Sequence, residues 1–145
     1  MKAHVATASI DIHAPRSDVW RALTDPDQIQ KYMFGSIVET DWKPGSRITW
    51  KGEYEGRQYE DKGEIVDIEP EQRLTLTHFS PLSGQEDTPE NYHTLVYELE
   101  EHDGKTHVSF SQDNNRSEEA AQHSRANWEN VLSGLKEVVE AQRSP

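Results

Sequence analysis

The sequence predicts a single α+β domain over residues 1–145, in which a curved antiparallel sheet of about six or seven strands surrounds one long C-terminal helix. Three observations predict it. Short segments of alternating apolar and polar residues recur up to residue 112, two short helical patterns follow the first of these segments, and one apolar stripe at helical spacing ends the chain. The helix stripe must then be covered by one face of the sheet.

The first strand is predicted over residues 4–13, because its residues alternate and one of its faces is apolar. That face carries Ala6, Ala8, Ile10 and Ile12. Pro15 suits the first turn of a helix, and Trp20 and Leu23 follow at helical spacing. The sequence therefore predicts a short helix directly after the first strand.

A second short helix is predicted from Pro26. Asp25 is placed to cap its N-terminus, and Tyr32 and Met33 belong to its apolar side. Gly35 ends it, since glycine is a helix breaker and a common C-terminal cap.

Six further strands are predicted between residues 36 and 112. Their ranges are 37–42, 47–54, 58–68, 73–79, 92–100 and 106–112. Pro44-Gly45 is typical of a type II turn, and Asp103-Gly104 is a strong hairpin signal. Apolar residues break the strict alternation just after Gly63, which predicts a bulge near that glycine. Residues 80–91 form the longest polar loop.

The last element is predicted to be a helix of roughly six turns that begins after Ser117, a suitable cap. One apolar stripe runs along it, with members Ala121, Ser124, Trp128, Val131, Leu132, Leu135, Val138 and Val139. Burying five large side chains contributes roughly 7 to 15 kcal/mol, which is comparable to the net stability of a whole domain. The helix is therefore expected to be an essential part of the core.

Composition excludes several classes of protein. The chain has 15 Lys and Arg against 27 Asp and Glu, a formal net charge of −12, which argues against nucleic-acid binding. No stretch of 18 apolar residues exists, so no membrane insertion is predicted, and the N-terminus lacks the apolar core of a signal peptide. The absence of cysteine excludes disulfides, thiolate catalysis and cysteine-bound zinc, and fits a cytoplasmic location. Mean hydropathy is low at −0.95, but large aromatic residues at regular spacing argue against disorder.

Several short motifs resemble a known superfamily when they are taken in order. The opening resembles START-like (SRPBCC, helix-grip) domains through Ile12-His13-Ala14-Pro15, Val19-Trp20 and Ala22-Leu23-Thr24-Asp25-Pro26. The branch named after the activator of heat-shock protein 90 ATPase is similar at Asp41-Trp42-Lys43-Pro44-Gly45-Ser46, Gly63-Glu64-Ile65, Glu69-Pro70, Leu74, Trp128, Leu132 and Leu135. The resemblance covers about residue 5 to residue 140. It implies a curved sheet that grips a long C-terminal helix, with a cavity between them.

Strand parity and this implied cavity together predict the residues that line it. The predicted ligand-binding residues are Trp50, Tyr54, His78, Tyr97, Trp128 and Leu132, with Tyr32 and Met33 near a possible entrance. His78 shares a face with Leu74 and Leu76, so it is either a core histidine bonded to a neighbouring hydroxyl or a polar group that orients a ligand. Asp61 is assigned to the surface rather than to the pocket.

No catalytic residues, metal ligands or cofactors are predicted. None of the seven histidines belongs to a recognisable metal-binding spacing, and there is no nucleophile elbow or phosphate-binding loop. The first hypothesis is therefore a non-catalytic binding protein for a small apolar or aromatic molecule. One alternative is a cyclase- or hydrolase-type enzyme that uses His78 or a tyrosine of the cavity as its acid–base group.

A second alternative is a chaperone-associated adaptor, since the resemblance implies chaperone activation for some members. The eukaryotic co-chaperone also carries a separate N-terminal domain that contacts the chaperone, and 145 residues leave no room for that domain. A chaperone partner would then have to bind the acidic exterior, and its binding should weaken as salt rises.

Overall fold

The computed structural model describes residues 4–142, without the side chain of Tyr54. Within these residues seven strands form one sheet: β1 Ala6–Ile12, β2 Ile37–Glu39, β3 Arg47–Tyr54, β4 Arg57–Glu69, β5 Arg73–His78, β6 His93–His102 and β7 Lys105–Gln112. The α-helices are α1 Arg16–Thr24, α2 Pro26–Tyr32 and α3 Glu118–Ala141, and two 3-10 turns cover Pro81–Ser83 and Pro89–Asn91. The predicted α+β fold class is confirmed.

The sheet is antiparallel throughout, in the order β1-β7-β6-β5-β4-β3-β2. The chain therefore starts at one edge, crosses to the other edge through α1 and α2, and returns strand by strand. Both short helices and α3 cover the same face, which holds the apolar core.

The two short helices are fixed by local signals and by one buried hydrogen bond. The Asp25 carboxylate accepts from the backbone N–H of Asp27 at 3.0 Å and so caps α2, as predicted. The Tyr32 hydroxyl donates to the carbonyl of Ala22 at 2.8 Å in the interior. This bond ties the end of α2 to α1.

The long helix α3 begins at its predicted cap and packs along the predicted stripe. The Ser117 hydroxyl accepts from the N–H of Ala120 at 3.1 Å. The fully buried positions of α3 are Ala121, Val131, Leu132, Leu135 and Val139. At Gly134 a Cβ would lie 3.0 Å from the Cβ of Tyr32, so glycine lets α2 and α3 approach closely.

The C-terminal turns of α3 are also joined to β1 by polar contacts. Lys136 donates from Nζ to the carbonyl of Asp11 at 2.9 Å, and the Glu140 carboxylate accepts from the backbone N–H of His13 at 2.9 Å. Both contacts hold the helix across the first edge of the sheet.

β2 is shorter than predicted. It ends at Glu39 rather than residue 42, and Trp42 has a left-handed backbone with φ of 56°. The bulge predicted near Gly63 is found between Ile65 and Asp67. Gly63 itself is needed for close packing, because a Cβ there would lie 1.7 Å from the backbone oxygen of Thr77 on β5.

Phe79 ends the predicted strand 73–79, and strict alternation would place it on the face of Thr75 and Thr77. It is buried, and its ring stacks on that of Tyr92 with centroids 5.1 Å apart. Between residues 4 and 142, none of the helices has the length and apolar character needed to cross a bilayer.

Candidate functional site

A cavity of about 590 Å³ lies between the sheet and the helices. This volume is within the range of roughly 300 to 1,000 Å³ that small-molecule sites occupy. Its apolar wall is formed mainly by Leu23, Ile29, Val38, Ile48, Leu74, Leu76, Leu95 and Val131. The concave face of the sheet is therefore also the wall of a ligand-sized space.

The structure brings six of the eight predicted residues onto this wall. They are Tyr32, Met33, Trp50, His78, Tyr97 and Trp128. Leu132 is buried in the core and does not line the cavity, and the side chain of Tyr54 lies outside the described part of the structure. Binding of a ligand by these residues stays a prediction.

The mouth of the cavity is marked by two residues that the sequence did not single out. Phe34 is 75% exposed and Leu82 is 43% exposed, yet both line the cavity. Tyr32 and Met33, which were expected near the entrance, are buried and half-buried respectively. Exposed apolar side chains on the cavity wall give an apolar ligand a favourable first contact.

The 80–91 loop that carries Leu82 is held by an ion pair. Lys62 on β4 contacts Asp87, whose carboxylate also accepts from the Tyr92 hydroxyl at 2.6 Å. Hydrogen bonds from Lys62 and then Tyr92 hold the pKa of Asp87 below its ordinary value, while Asp87 raises the pKa of Lys62. Both groups are therefore charged near neutral pH and fasten one side of the mouth.

One end of the cavity is aromatic. The ring of Trp128 stacks on Phe110 with centroids 3.9 Å apart and meets Tyr97 edge-on at 6.3 Å. Its indole N–H donates to Oε1 of Gln112 at 2.5 Å, which fixes the orientation of the ring. Burial raises the pKa of Tyr97 far above its ordinary value, so its hydroxyl keeps its proton. Among residues 4–142 that hydroxyl has no hydrogen-bond partner, and it lies on the cavity wall, where water or a ligand can reach it.

The other end is polar and centres on Asp61 and His78. Asp61 lies opposite Trp50 in the β3–β4 register, and its Oδ2 is 2.9 Å from Nε2 of His78 at the end of β5. The edge of the His78 ring packs on Trp50 with centroids 5.1 Å apart. The second oxygen, Oδ1, is buried and meets no hydrogen-bond partner in the described part of the chain. Asp61 thus faces the cavity, contrary to the surface placement expected from sequence.

A second polar pair lies beside this one. The ring of Tyr59 lies over Gly52, where a Cβ would be only 2.5 Å from the hydroxyl oxygen, so glycine makes room for it. The hydroxyl then reaches Oγ of Ser36 at 2.5 Å. Glu53 adds a second carboxylate at the rim, and no Lys or Arg is found among the described residues that line the cavity.

The period of two along β4 is the sequence signal that places these polar residues in the cavity. Ile65 is fully buried, and steps of two residues back along β4 lead to Gly63, Asp61 and Tyr59 on the same face. The histidines do not gather into a metal centre: no set of three or more potential metal ligands is found within residues 4–142.

Comparison with known proteins agrees with this architecture. The family model described as activator of Hsp90 ATPase homolog 1-like protein matches residues 13–140. A Cytophaga hutchinsonii protein, solved in solution, is 44% identical over 97% of each chain, with a TM-score of 0.84. A crystal structure from Nitrosomonas europaea is 19% identical over 99% of each chain, with a TM-score of 0.78. The Aha1 dimer from Colwellia psychrerythraea is 20% identical over 97% of this chain and 98% of that one, with a TM-score of 0.72. The last two show the fold alone.

The comparison with curated proteins finds no match to this chain. The family match nevertheless spans most of the chain, from the end of β1 to the end of α3, and its fold is the one described above. The chain therefore belongs to the activator of Hsp90 ATPase homolog 1-like family, with the START-like (SRPBCC) fold.

Proposed function

We propose that the chain is a binding protein that holds a small apolar or aromatic molecule in the cavity between the sheet and α3. The observation that carries this proposal is the cavity of about 590 Å³ with its largely apolar wall. If it were dry and empty, a void of that size would cost on the order of 14 kcal/mol, as much as the net stability of a typical domain. The space is therefore filled by water or by a ligand.

An apolar ligand is favoured over water at this wall. Water in the cavity finds few polar partners along the aliphatic part of the wall, which includes Leu74, Leu76 and Leu95. A ligand that covers this surface releases the water to bulk solvent, which is favourable. A hydroxyl such as that of Tyr97 can then give the ligand its orientation.

The four tryptophans provide the test. Trp42, Trp50 and Trp128 line the cavity, whereas Trp20 does not. Titration of the ¹⁵N-labelled protein with naphthalene should shift the indole N–H signals of the first three and leave that of Trp20 in place. If none of the three cavity signals moves, or if Trp20 responds equally, the proposal is wrong.

A pair of matched variants separates the cavity from the rest of the core. Val131→Phe fills part of the cavity and should weaken naphthalene binding. Val138→Phe makes the same change on α3 at a half-buried position that does not line the cavity, and binding should be retained. Equal effects of the two substitutions would argue against binding in the cavity.

A second candidate function is hydrolysis or cyclisation in the same cavity, and the contact between Asp61 and His78 favours it. A histidine held by a carboxylate is the usual arrangement of a general base. The test uses 2-naphthyl acetate as substrate and measures released 2-naphthol. An enzyme would accelerate this release and lose the acceleration in His78→Gln, while a pure binding protein leaves the rate at that of the buffer.

A chaperone partner is suggested by the name of the family alone. No contact within residues 4–142 distinguishes such a partner from the two functions above. Chaperone activation is therefore not proposed for this chain.

A further inference from the structure

We propose that the cavity selects molecules whose apolar body ends in a hydrogen-bond donor, a hydroxyl or an ammonium group, and that it rejects molecules that end in a carboxylate. This inference rests on the proposed binding function and adds the chemistry of the ligand's head group. It follows from three features of the cavity: where its polar groups lie, what charge they carry, and which of them still lacks a partner.

Asp61 lies at the opposite end of the cavity from the aromatic cluster. Tyr97 is on β6, and Trp128 stacks on a residue of β7, whereas Asp61 is on β4 and Trp50 beside it is on β3. Two strand spacings separate β6 from β4, which is about 10 Å across the sheet. A ligand of roughly two fused rings therefore spans the distance from the aromatic end to Asp61.

The acidic groups at this end have no lysine or arginine beside them among the described residues of the cavity wall. The described lining residues include two carboxylates, Asp61 and Glu53, and no Lys or Arg. A ligand carboxylate would be placed beside the partly buried Asp61 carboxylate with no lysine or arginine of the described wall to pair with it, so both desolvation and repulsion oppose its binding. The chain as a whole adds to this repulsion, since its net charge is −12. An ammonium group would be attracted, and a hydroxyl would be accepted without penalty.

At this end, Asp61 is the group that still has hydrogen-bonding capacity. The Tyr59 and Ser36 hydroxyls already bond each other, whereas the Asp61 carboxylate has one partner, His78, on one oxygen. Its other oxygen is buried and has no partner among residues 4–142, an arrangement that native structures rarely leave unsatisfied. The last torsion of an aspartate is soft, so a small rotation turns an oxygen toward a donor that enters from the cavity. A donor head group on the ligand completes the hydrogen bonding of this carboxylate.

Four probes with the same two-ring body test the inference by NMR titration at pH 7: naphthalene, 2-naphthalenemethanol, 2-naphthalenemethylamine and 2-naphthoate. The alcohol and the amine should bind roughly five- to tenfold more tightly than naphthalene, as expected for a hydrogen bond to a charged, partly exposed group. The naphthoate should bind more weakly than naphthalene. If the four affinities are equal, or if naphthoate binds best, the inference is wrong and the proposed binding function stands.

Variants then assign the effect to one side chain. Asp61→Asn removes the charge and keeps the shape, so the advantage of the amine over naphthalene should shrink and the naphthoate should bind better. Asp61→Leu should remove the advantage of the alcohol as well. Glu60→Gln makes the same charge change one residue away on the exposed face of β4 and should leave all four affinities unchanged.

An unchanged ranking in Asp61→Leu would overturn the assignment. If a variant does not fold, the ranking of the four probes on the unmodified chain still decides the inference. If no probe, naphthalene included, shifts any cavity tryptophan, both the proposed function and this inference fail together.

Discussion

The substitution Leu135→Ala tests whether α3 is part of the core, as the whole account of the cavity requires. Leu135 is fully buried and does not line the cavity, so the substitution removes contacts of the core alone. Three carbon atoms are lost, worth about 0.8 kcal/mol each in transfer free energy, or about 2.4 kcal/mol together. The void left behind adds a further cost, because packed surroundings relax only in part. We expect the free energy of unfolding to fall by about 3 to 4 kcal/mol.

Urea denaturation followed by circular dichroism measures this change, provided that the slope of the transition is unchanged. Glu137→Ala, in the same turn but exposed, should change stability by less than about 0.5 kcal/mol. Leu135→Met keeps most of the volume and should cost less than about 1.5 kcal/mol. A loss below 1 kcal/mol for Leu135→Ala would mean that α3 is not packed on the sheet, and the cavity would then have no second wall.

Three further predictions each test a single contact described above. Hydrogen bonds from the backbone N–H of His13 and from Lys136 hold the pKa of Glu140 below its ordinary value, so its charge stabilises the fold at neutral pH and this contribution is lost as pH falls through the lowered pKa. Glu140→Gln should therefore lower the free energy of unfolding by roughly 0.5–1 kcal/mol at pH 7 and have no effect in acid, and an unchanged difference at pH 3 would refute this. Gly63→Ala should cost more than about 3 kcal/mol in urea denaturation, because the new Cβ meets the backbone oxygen of Thr77; stability within 1 kcal/mol of the parent would contradict this. Asp87→Asn should speed amide hydrogen exchange in the 80–91 loop relative to β6, and equal exchange rates in the two proteins would show that the ion pair does not hold the loop.

Alternation predicted the interior best where a tight turn fixes the register. In β6 and β7 alternation gives one face to Leu95 and Tyr97 and one to Val108 and Phe110, and all four residues are buried. The Asp103-Gly104 turn joins these strands with both residues at positive φ, as a two-residue hairpin requires. With the register fixed by the turn, the period of two determines each face over the whole hairpin.

In β4 alternation does not give the correct face of every residue, because a bulge interrupts it. Ile65 points inward, but the shift in register before Asp67 means that a count from the far end of the strand gives the opposite face to Asp61. Asp61 and Tyr59 are also polar types that usually lie at the surface. Residue type and local pattern therefore both predict that Asp61 faces the solvent, whereas it faces the cavity.

The mouth could not be predicted from sequence for a different reason. Phe34 and Trp42 both adopt left-handed backbone conformations, which large side chains rarely do. Such conformations are imposed by the surrounding structure, so the hydrophobic periodicity of the sequence does not predict them. The position of Leu82 depends in the same way on an ion pair between residues distant in the sequence.

The cavity follows from the way α3 is held rather than from a local defect in packing. The helix makes its close backbone contacts with β1, α1 and α2, at the first edge of the sheet and along the two short helices. Its large buried side chains, Val131 to Val139, lie in its C-terminal half, while Trp128 is the one large apolar side chain that its N-terminal half sends inward. The concave face of β3 to β6 therefore has helix above it but too few side chains to fill the space. Because this space is a consequence of the fold, substitutions on its wall can change what it holds without removing the element that forms it.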